Sequence, residues 1–239
     1  WYKKSTNGLL FPQPLPATTG GAASPIINIG DIQNTGLDLA ITYHGGRNSD
    51  FKYNIGANIT TYKNLVVKIP DPGYFDVGLV RNEVGHQVSS FFGYEVVGFF
   101  RDAEDVEKSP TQQDAAPGRF KYKDTDGDGQ ITPDDRTFFG NPNPDFTYGI
   151  NFSASYRNFD FSMVLYGSQG NQVYNTPWEE LTRLGTPGAY SKDLVFDSWT
   201  PQNLNPKAPV AEALSSSFSD GRGSSFYVEN GSFLKSRSL

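Results

Sequence analysis

The sequence predicts an all-β chain: part of a transmembrane antiparallel β-barrel with long extracellular loops. Three observations carry this. Hydrophobicity alternates with period two in four segments. The connections between them are very short on one side and very long on the other. Aromatic residues, 14% of the 239, gather at the segment ends.

The first strand is LDLAITYH, where Leu37, Leu39, Ile41 and Tyr43 share one face opposite Asp38, Thr42 and His44. The second is FKYNIGANIT, with Phe51, Tyr53, Ile55, Ala57 and Ile59 alternating with Lys52, Asn54, Gly56, Asn58 and Thr60. The third, FTYGINFSASY, sets Phe146, Tyr148, Ile150, Phe152, Ala154 and Tyr156 against Thr147, Gly149, Asn151, Ser153 and Ser155. The fourth, FDFSMVLYG, puts Phe159, Phe161, Met163 and Leu165 opposite Asp160 and Ser162. GGRNSD joins the first pair, and Arg157 and Asn158 form a two-residue hairpin turn in the second pair.

The other connections run from about 63 to 145 and from about 168 to 227. Outer-membrane barrels show this asymmetry, with short periplasmic turns and long extracellular loops. Tyr43, Phe51, Tyr53, Tyr156, Phe159 and Phe161 stand where one aromatic girdle belongs. Phe146, Tyr148 and Tyr166 stand where the other does. A soluble β-sandwich also alternates; the loop asymmetry and the aromatic placement favour the barrel. Strand parity then keeps most of 64–145 outside the membrane. Within it VSSFFGYEVVGFF reads as extracellular strands, with a membrane strand over 88–100 as the alternative. DAEDVEK reads as a short helix, Asp102 to Lys108, and GRFKYKD as a strand.

That strand enters DTDGDGQITPDD, a calcium-loop pattern over 124–135. Asp124, Asp126 and Asp128 stand at positions 1, 3 and 5, Gly129 at 6, Gln130 at 7, Thr132 at 9 and Asp135 at 12. Calcium takes six to eight oxygens, and alternate carboxylates converge where the chain curls round the ion. Gln130 offers its carbonyl, and Ile131 pins the loop to a core. An acidic surface turn would read similarly. Pro133 and FFGNPNP forbid the exit helix of a signalling EF-hand, so a bound ion would be structural.

Composition excludes several functions. There is no Cys, and only His44 and His86 could serve imidazole chemistry. Net charge is −6 with no dense basic run, which argues against a nucleic-acid partner. Glu179 with Glu180, and Asp134 with Asp135, are poor glycosidase pairs because adjacent acids are common in polar loops. No enzyme is expected. Trp178, Trp199 and Phe196 could stack on sugar rings, meet a protein lid, or form the second long loop's own core. Arg101, Arg119 and Arg136 read as solvated or paired loop charges. No signal peptide is visible and Trp1 begins in mid-strand sequence, so the chain reads as a piece of a longer protein.

The block GRFKYKDTDGDGQITPDDRTFFGNPNPDFTYGINFSASYRNFDFSMVLYGSQGNQVYN resembles the C-terminal part of SusC/RagA-type TonB-linked outer-membrane transporters. LPATTG (15–20), NIGDIQNTGLDLAI (28–41), VGHQVSSFFGYEVVGFF (84–100), SWTPQN (198–203) and YVENGSFLK (227–235) match further blocks in the family's order. The resemblance implies a roughly 22-stranded barrel in the bacterial outer membrane. It implies import of oligosaccharides or peptides, a SusD-like surface lipoprotein as lid, and TonB as energy source. The plug domain and the last strands lie outside 1–239, and LKSRSL reads as the start of the next strand. The rival readings are a secreted calcium-stabilised β-domain, acting as a binding module or adhesin, and a secreted glycan-degrading enzyme.

Overall fold

The computed structural model describes residues 1–12, 26–46, 48–182, 190–212 and 221–238. Among these residues fourteen strands run in chain order: β1 (Tyr2–Pro12), β2 (Ile26–Gly45), β3 (Phe51–Lys68), β4 (Tyr74–Val77), β5 (Val80–Glu83), β6 (Ser90–Gly93), β7 (Val96–Phe99), β8 (Phe120–Tyr122), β9 (Thr137–Gly140), β10 (Phe146–Tyr156), β11 (Phe159–Gln169), β12 (Gln172–Tyr174), β13 (Val228–Asn230) and β14 (Phe233–Ser238). Three short α-helices lie among the same residues: α1 (Ala103–Lys108), α2 (Thr176–Leu181) and α3 (Lys192–Phe196). No helix among the described residues is long and apolar enough to cross a membrane, which says nothing of strands. The chain divides into two units. One comprises Trp1–Ser90, Asn141–Val173 and Asn230–Leu239; the other comprises Phe91–Gly140 and Tyr174–Glu229.

The first unit is an open antiparallel sheet in the order β1-β2-β3-β10-β11-β14. Its register lines up the alternation read from the sequence. Ile41 faces Ala57, Ala57 faces Ile150, and Ile150 faces Leu165. The row nearer the turns is Tyr43, Ile55, Phe152 and Met163. Residues opposite each other point to one side, so every such row adds to one apolar face. That face is exposed: Ile41 is 72% accessible and Phe159 80%. Sheets in water cover such a face, because each buried side chain gains about 1.5–3 kcal/mol. The opposite face carries Thr42, Gly56, Asn151 and Val164 in its middle row.

At the end with the tight turns, Tyr43, Phe51, Tyr53 and Tyr156 contact one another ring to ring. At the other end Phe146 packs 6.0 Å from Tyr148. Tyr166, expected in that girdle, lies on the polar face instead. It pairs with Gly149 and Lys235, because an even position in β11 points away from Phe159, Phe161 and Leu165.

Three strands exceed expectation. β2 and β3 have 20 and 18 residues and outrun the apolar rows. β1 pairs with that overhang from Tyr2–Gly36 onward. The mid-strand reading at Trp1 fits this strand, although it does not alternate: a bulge at Gly8, held by its N–H donating to Asp31 Oδ1, breaks the period. β14 lies where LKSRSL was expected to start a strand, paired with β11. The block LPATTG falls outside the described residues. In the same unit β4 and β5 form a hairpin in which Arg81 grips Asp76 at 2.7 Å and covers the Tyr74 ring.

The second unit is small and aromatic. Phe120, Tyr122, Ile131 and Tyr227 are its buried centre, with Tyr94, Phe99, Trp178 and Phe226 packed around them. The segment 88–100 forms two short strands rather than one membrane strand: β6 pairs with β9, and β7 with β8. Helix α1 matches its expected span, with Asp102 as N-cap accepting from the Asp105 N–H.

The backbone of β8 has an unusual partner. Gln112 donates Nε2–H to the Phe120 carbonyl at 2.7 Å, and its Oε1 accepts from the Tyr122 N–H at 3.0 Å. One buried amide thus satisfies two groups that a neighbouring strand would otherwise hold. Gly221 has φ +67° and lies against the Phe120 ring, so a side chain there would meet both strain and the core.

Candidate metal centre

The calcium-like loop follows β8 directly. Its shape comes from carboxylates bonding their own backbone. Asp124 accepts from the Gly127 and Gly129 N–H groups at 2.6 and 2.9 Å. Asp126 accepts from Asp128 N–H, and Asp128 from Gln130 N–H. Gly127 and Gly129 both have positive φ, which the tight curl requires. The curl brings carboxylate oxygens of Asp124, Asp126 and Asp128 within 4.8 Å of one another.

Electrostatics follow from this crowding. The Asp128 N–H favours the ionised Asp126 carboxylate. Desolvation and the charges of Asp128, Asp135 and Asp124 outweigh it and raise the Asp126 pKa. A divalent cation relieves such repulsion directly.

The remaining predicted ligands are placed differently. The Gln130 carbonyl accepts no backbone hydrogen bond among the described residues. Thr132 and Asp135 form a capping box on the 3-10 turn Pro133–Asp135. Asp135 is 1% accessible, and its two oxygens accept from the Thr125 and Thr132 N–H groups at 2.7 Å each. Burial alone would raise its pKa; the N–H groups of Thr132, Thr125 and Asp126 win and hold it below the usual value. The T-x-x-D spacing at 132–135 is a capping signature that could have revealed this role from sequence. Three clustered carboxylates fit a hard cation, while Thr132 and Asp135 hold the loop's exit.

The loop is pinned to the second unit. Thr111 N–H donates to the Gly129 carbonyl and Ile131 N–H to the Thr111 carbonyl, both at 2.8 Å. Ile131 enters the aromatic centre, as its sequence position implied.

The other candidates resolve locally. Trp178 stacks on Phe226 at 4.8 Å and meets Tyr227 edge-on, so it belongs to the loop's own core. Trp199 lies against Gly118. Phe196 is 79% accessible. Arg119 pairs with Glu212 at 2.5 Å, Arg136 covers Phe92, and Arg101 is exposed. Glu179 and Glu180 are neighbours on α2, roughly 100° apart around its axis, and do not form a facing pair. Glu179 is buried and accepts from the Tyr174 hydroxyl. Burial, then that bond, pushes the Tyr174 pKa well up and keeps it a neutral donor.

Over its whole length the chain is 33% identical to TonB-dependent receptor P3 of Formosa agariphila, of which it spans 24%. It is 25% identical over 98% of its length to TonB-dependent receptor SusC of Bacteroides thetaiotaomicron, spanning 22% of that protein. Among solved structures, the RagAB peptide transporter superposes on 98% of this chain with TM-score 0.74 and 21% identity, and the chain covers 25% of it. No protein-family model matches. The chain therefore spans about a quarter of the length of these relatives.

Proposed function

Because the chain belongs to the TonB-dependent receptors of the SusC kind, we propose that the intact protein imports oligosaccharides or peptides across a bacterial outer membrane. The observation that carries this is the exposed apolar face. It spans β10 and β11, 11 residues each, and matching lengths of β2 and β3. The ten steps between eleven residues, of ~3.4 Å each and tilted by about 40°, climb about 26 Å, close to the ~25 Å apolar band of outer-membrane barrels. An aromatic row at each edge fits the two interfaces. The tight turns then face the periplasm, and the excursions 64–145 and 168–226 face outward.

The peptide cargo is drawn from a similar structure, titled a peptide transporter, and the oligosaccharide alternative from the sequence resemblance alone. A SusD-like lipoprotein would cap the outer mouth, and TonB would act through parts beyond 1–239. Fractionation of cells expressing the full-length protein tests the reading. The protein is expected in the outer membrane, resisting carbonate and yielding only to detergent. Recovery in the secreted or soluble fraction would replace the transporter with a soluble β-domain.

The loop 124–135 is proposed as a structural calcium site on Asp124, Asp126, Asp128 and the Gln130 carbonyl. Thr132 and Asp135 hold its exit turn and supply further oxygens only if that turn rearranges. The double change Asp124→Ala with Asp128→Ala is expected to abolish calcium binding in calorimetry. It should also raise protease cleavage within 100–145. Calcium titration of the unaltered full-length protein without heat or protection would remove the assignment and leave the transporter reading standing.

A further inference from the structure

Two lysines share an unusual place in the first unit. Lys3 faces Thr35, and Thr35 faces Lys63, in one unbroken row across β1, β2 and β3. Counting two residues along β3 leads from Lys63 to Thr61, level with Leu37 and Phe146 at the edge of the apolar face. Two residues is an even step, so Lys3, Thr35 and Lys63 point to the same side as that face. Both lysines are exposed.

Depth follows from the same count. Two residues rise ~6.8 Å along the strand, or about 5 Å along the bilayer normal at a tilt of about 40°. The headgroup layer extends roughly 5–7 Å beyond the hydrocarbon on each side. The ammonium groups therefore lie among headgroups, on the side of the long excursions.

No ion pair to Lys3 or Lys63 forms among the described residues. The outward neighbours one row up are Ser5, Gln33 and Leu65. The connection 13–25 contains no acidic residue. The turn end differs: there the cation Arg157 faces Asp50 at 3.8 Å and covers Tyr156. Lys3 and Lys63 thus lack an acidic partner among the described residues, whereas Arg157 at the turn end has one.

From this we propose that Lys3, Thr35 and Lys63 form a binding site for the phosphate of an outer-leaflet lipid headgroup. The strands set the lysine Cα atoms about 9–10 Å apart, a span two flexible side chains close onto one phosphate. The Thr35 hydroxyl lies between them as a further donor. Each contact is a charge-assisted hydrogen bond, stronger than its neutral counterpart. The proposal rests on the outer-membrane reading above.

The test uses the full-length protein in detergent, with phosphatidic acid and phosphatidylcholine as competing probes and native mass spectrometry as readout. The unaltered protein is expected to retain phosphatidic acid in preference. Lys3→Gln with Lys63→Gln should weaken that retention at least about tenfold, equivalent to about 1.4 kcal/mol. Insertion into vesicles should be unchanged, and Lys52→Gln, on the polar face near the turns, should have no effect. Inorganic phosphate in large excess should not displace the lipid. Equal retention by the double variant, no preference over phosphatidylcholine, or displacement by inorganic phosphate would each overturn the lipid site. Failure of the unaltered protein to insert into vesicles would instead sink the outer-membrane reading beneath it.

Discussion

An arginine at Ile150 is expected to block assembly in the membrane, while an arginine at its neighbour Asn151 is tolerated. Ile150 belongs to the apolar row with Ile41, Ala57 and Leu165, near the middle of the band. Arginine on the lipid side near the bilayer midplane costs about 2–4 kcal/mol. Asn151 is one residue on and points to the polar face beside Gly56 and Val164. There an arginine meets water, and surface changes of that kind stay within about 0.5 kcal/mol. The measurement is urea unfolding of the full-length variants in lipid vesicles, with outer-membrane abundance as a second readout. Equal costs at the two positions would mean that the faces are not divided between lipid and lumen.

The second large effect belongs to Phe120. Its side chain is fully buried, with ring neighbours Phe226 at 5.0 Å and Phe99 at 5.2 Å. Phe120→Ala is expected to cost the second unit about 3–5 kcal/mol, transfer and cavity combined. A small aromatic core has little else to hold it, so local opening becomes accessible. Limited proteolysis of the full-length variant should cut within 91–140 and 174–229 while the strands β2, β3, β10 and β11 stay intact. Phe120→Leu keeps most of the volume and should restore most of the protection. Unchanged cleavage in the alanine variant would show that the cluster does not carry this unit's stability.

The sheet was legible because half-exposed strands write their faces into the sequence every second residue. Leu37 to Tyr43 and Phe146 to Tyr156 needed no partner to be read. β1 was read only as mid-strand sequence at Trp1, without faces or bounds, because YKKSTNGLLFP does not alternate and its bulge at Gly8 shifts the phase. The metal loop was legible as a motif, since the spacing of its aspartates is local. The second use of Asp135, as a cap, competes with that motif, and only geometry separates the two. Gln112 gave no signal at all. Nothing near it in sequence marks an amide that reaches back to bracket Phe120 and Tyr122. The Lys3–Lys63 row was equally hidden, because residues so far apart become neighbours only through register.

The path of the chain through the second unit has a consequence for how the protein comes together. Val96 N–H donates to Ser225 Oγ across 129 residues, closing a loop whose entropy costs about 4 kcal/mol before any fixed constant. The hairpin β10–β11 belongs to the other unit and lies in the chain between the two segments that meet there. Its own pairing is local, joined by the Arg157–Asn158 turn, and so is entropically cheap. Phe120 can meet Tyr227 only once the chain between them, that hairpin included, has been synthesised. The aromatic centre is therefore a long-range closure, dependent on everything synthesised between its halves.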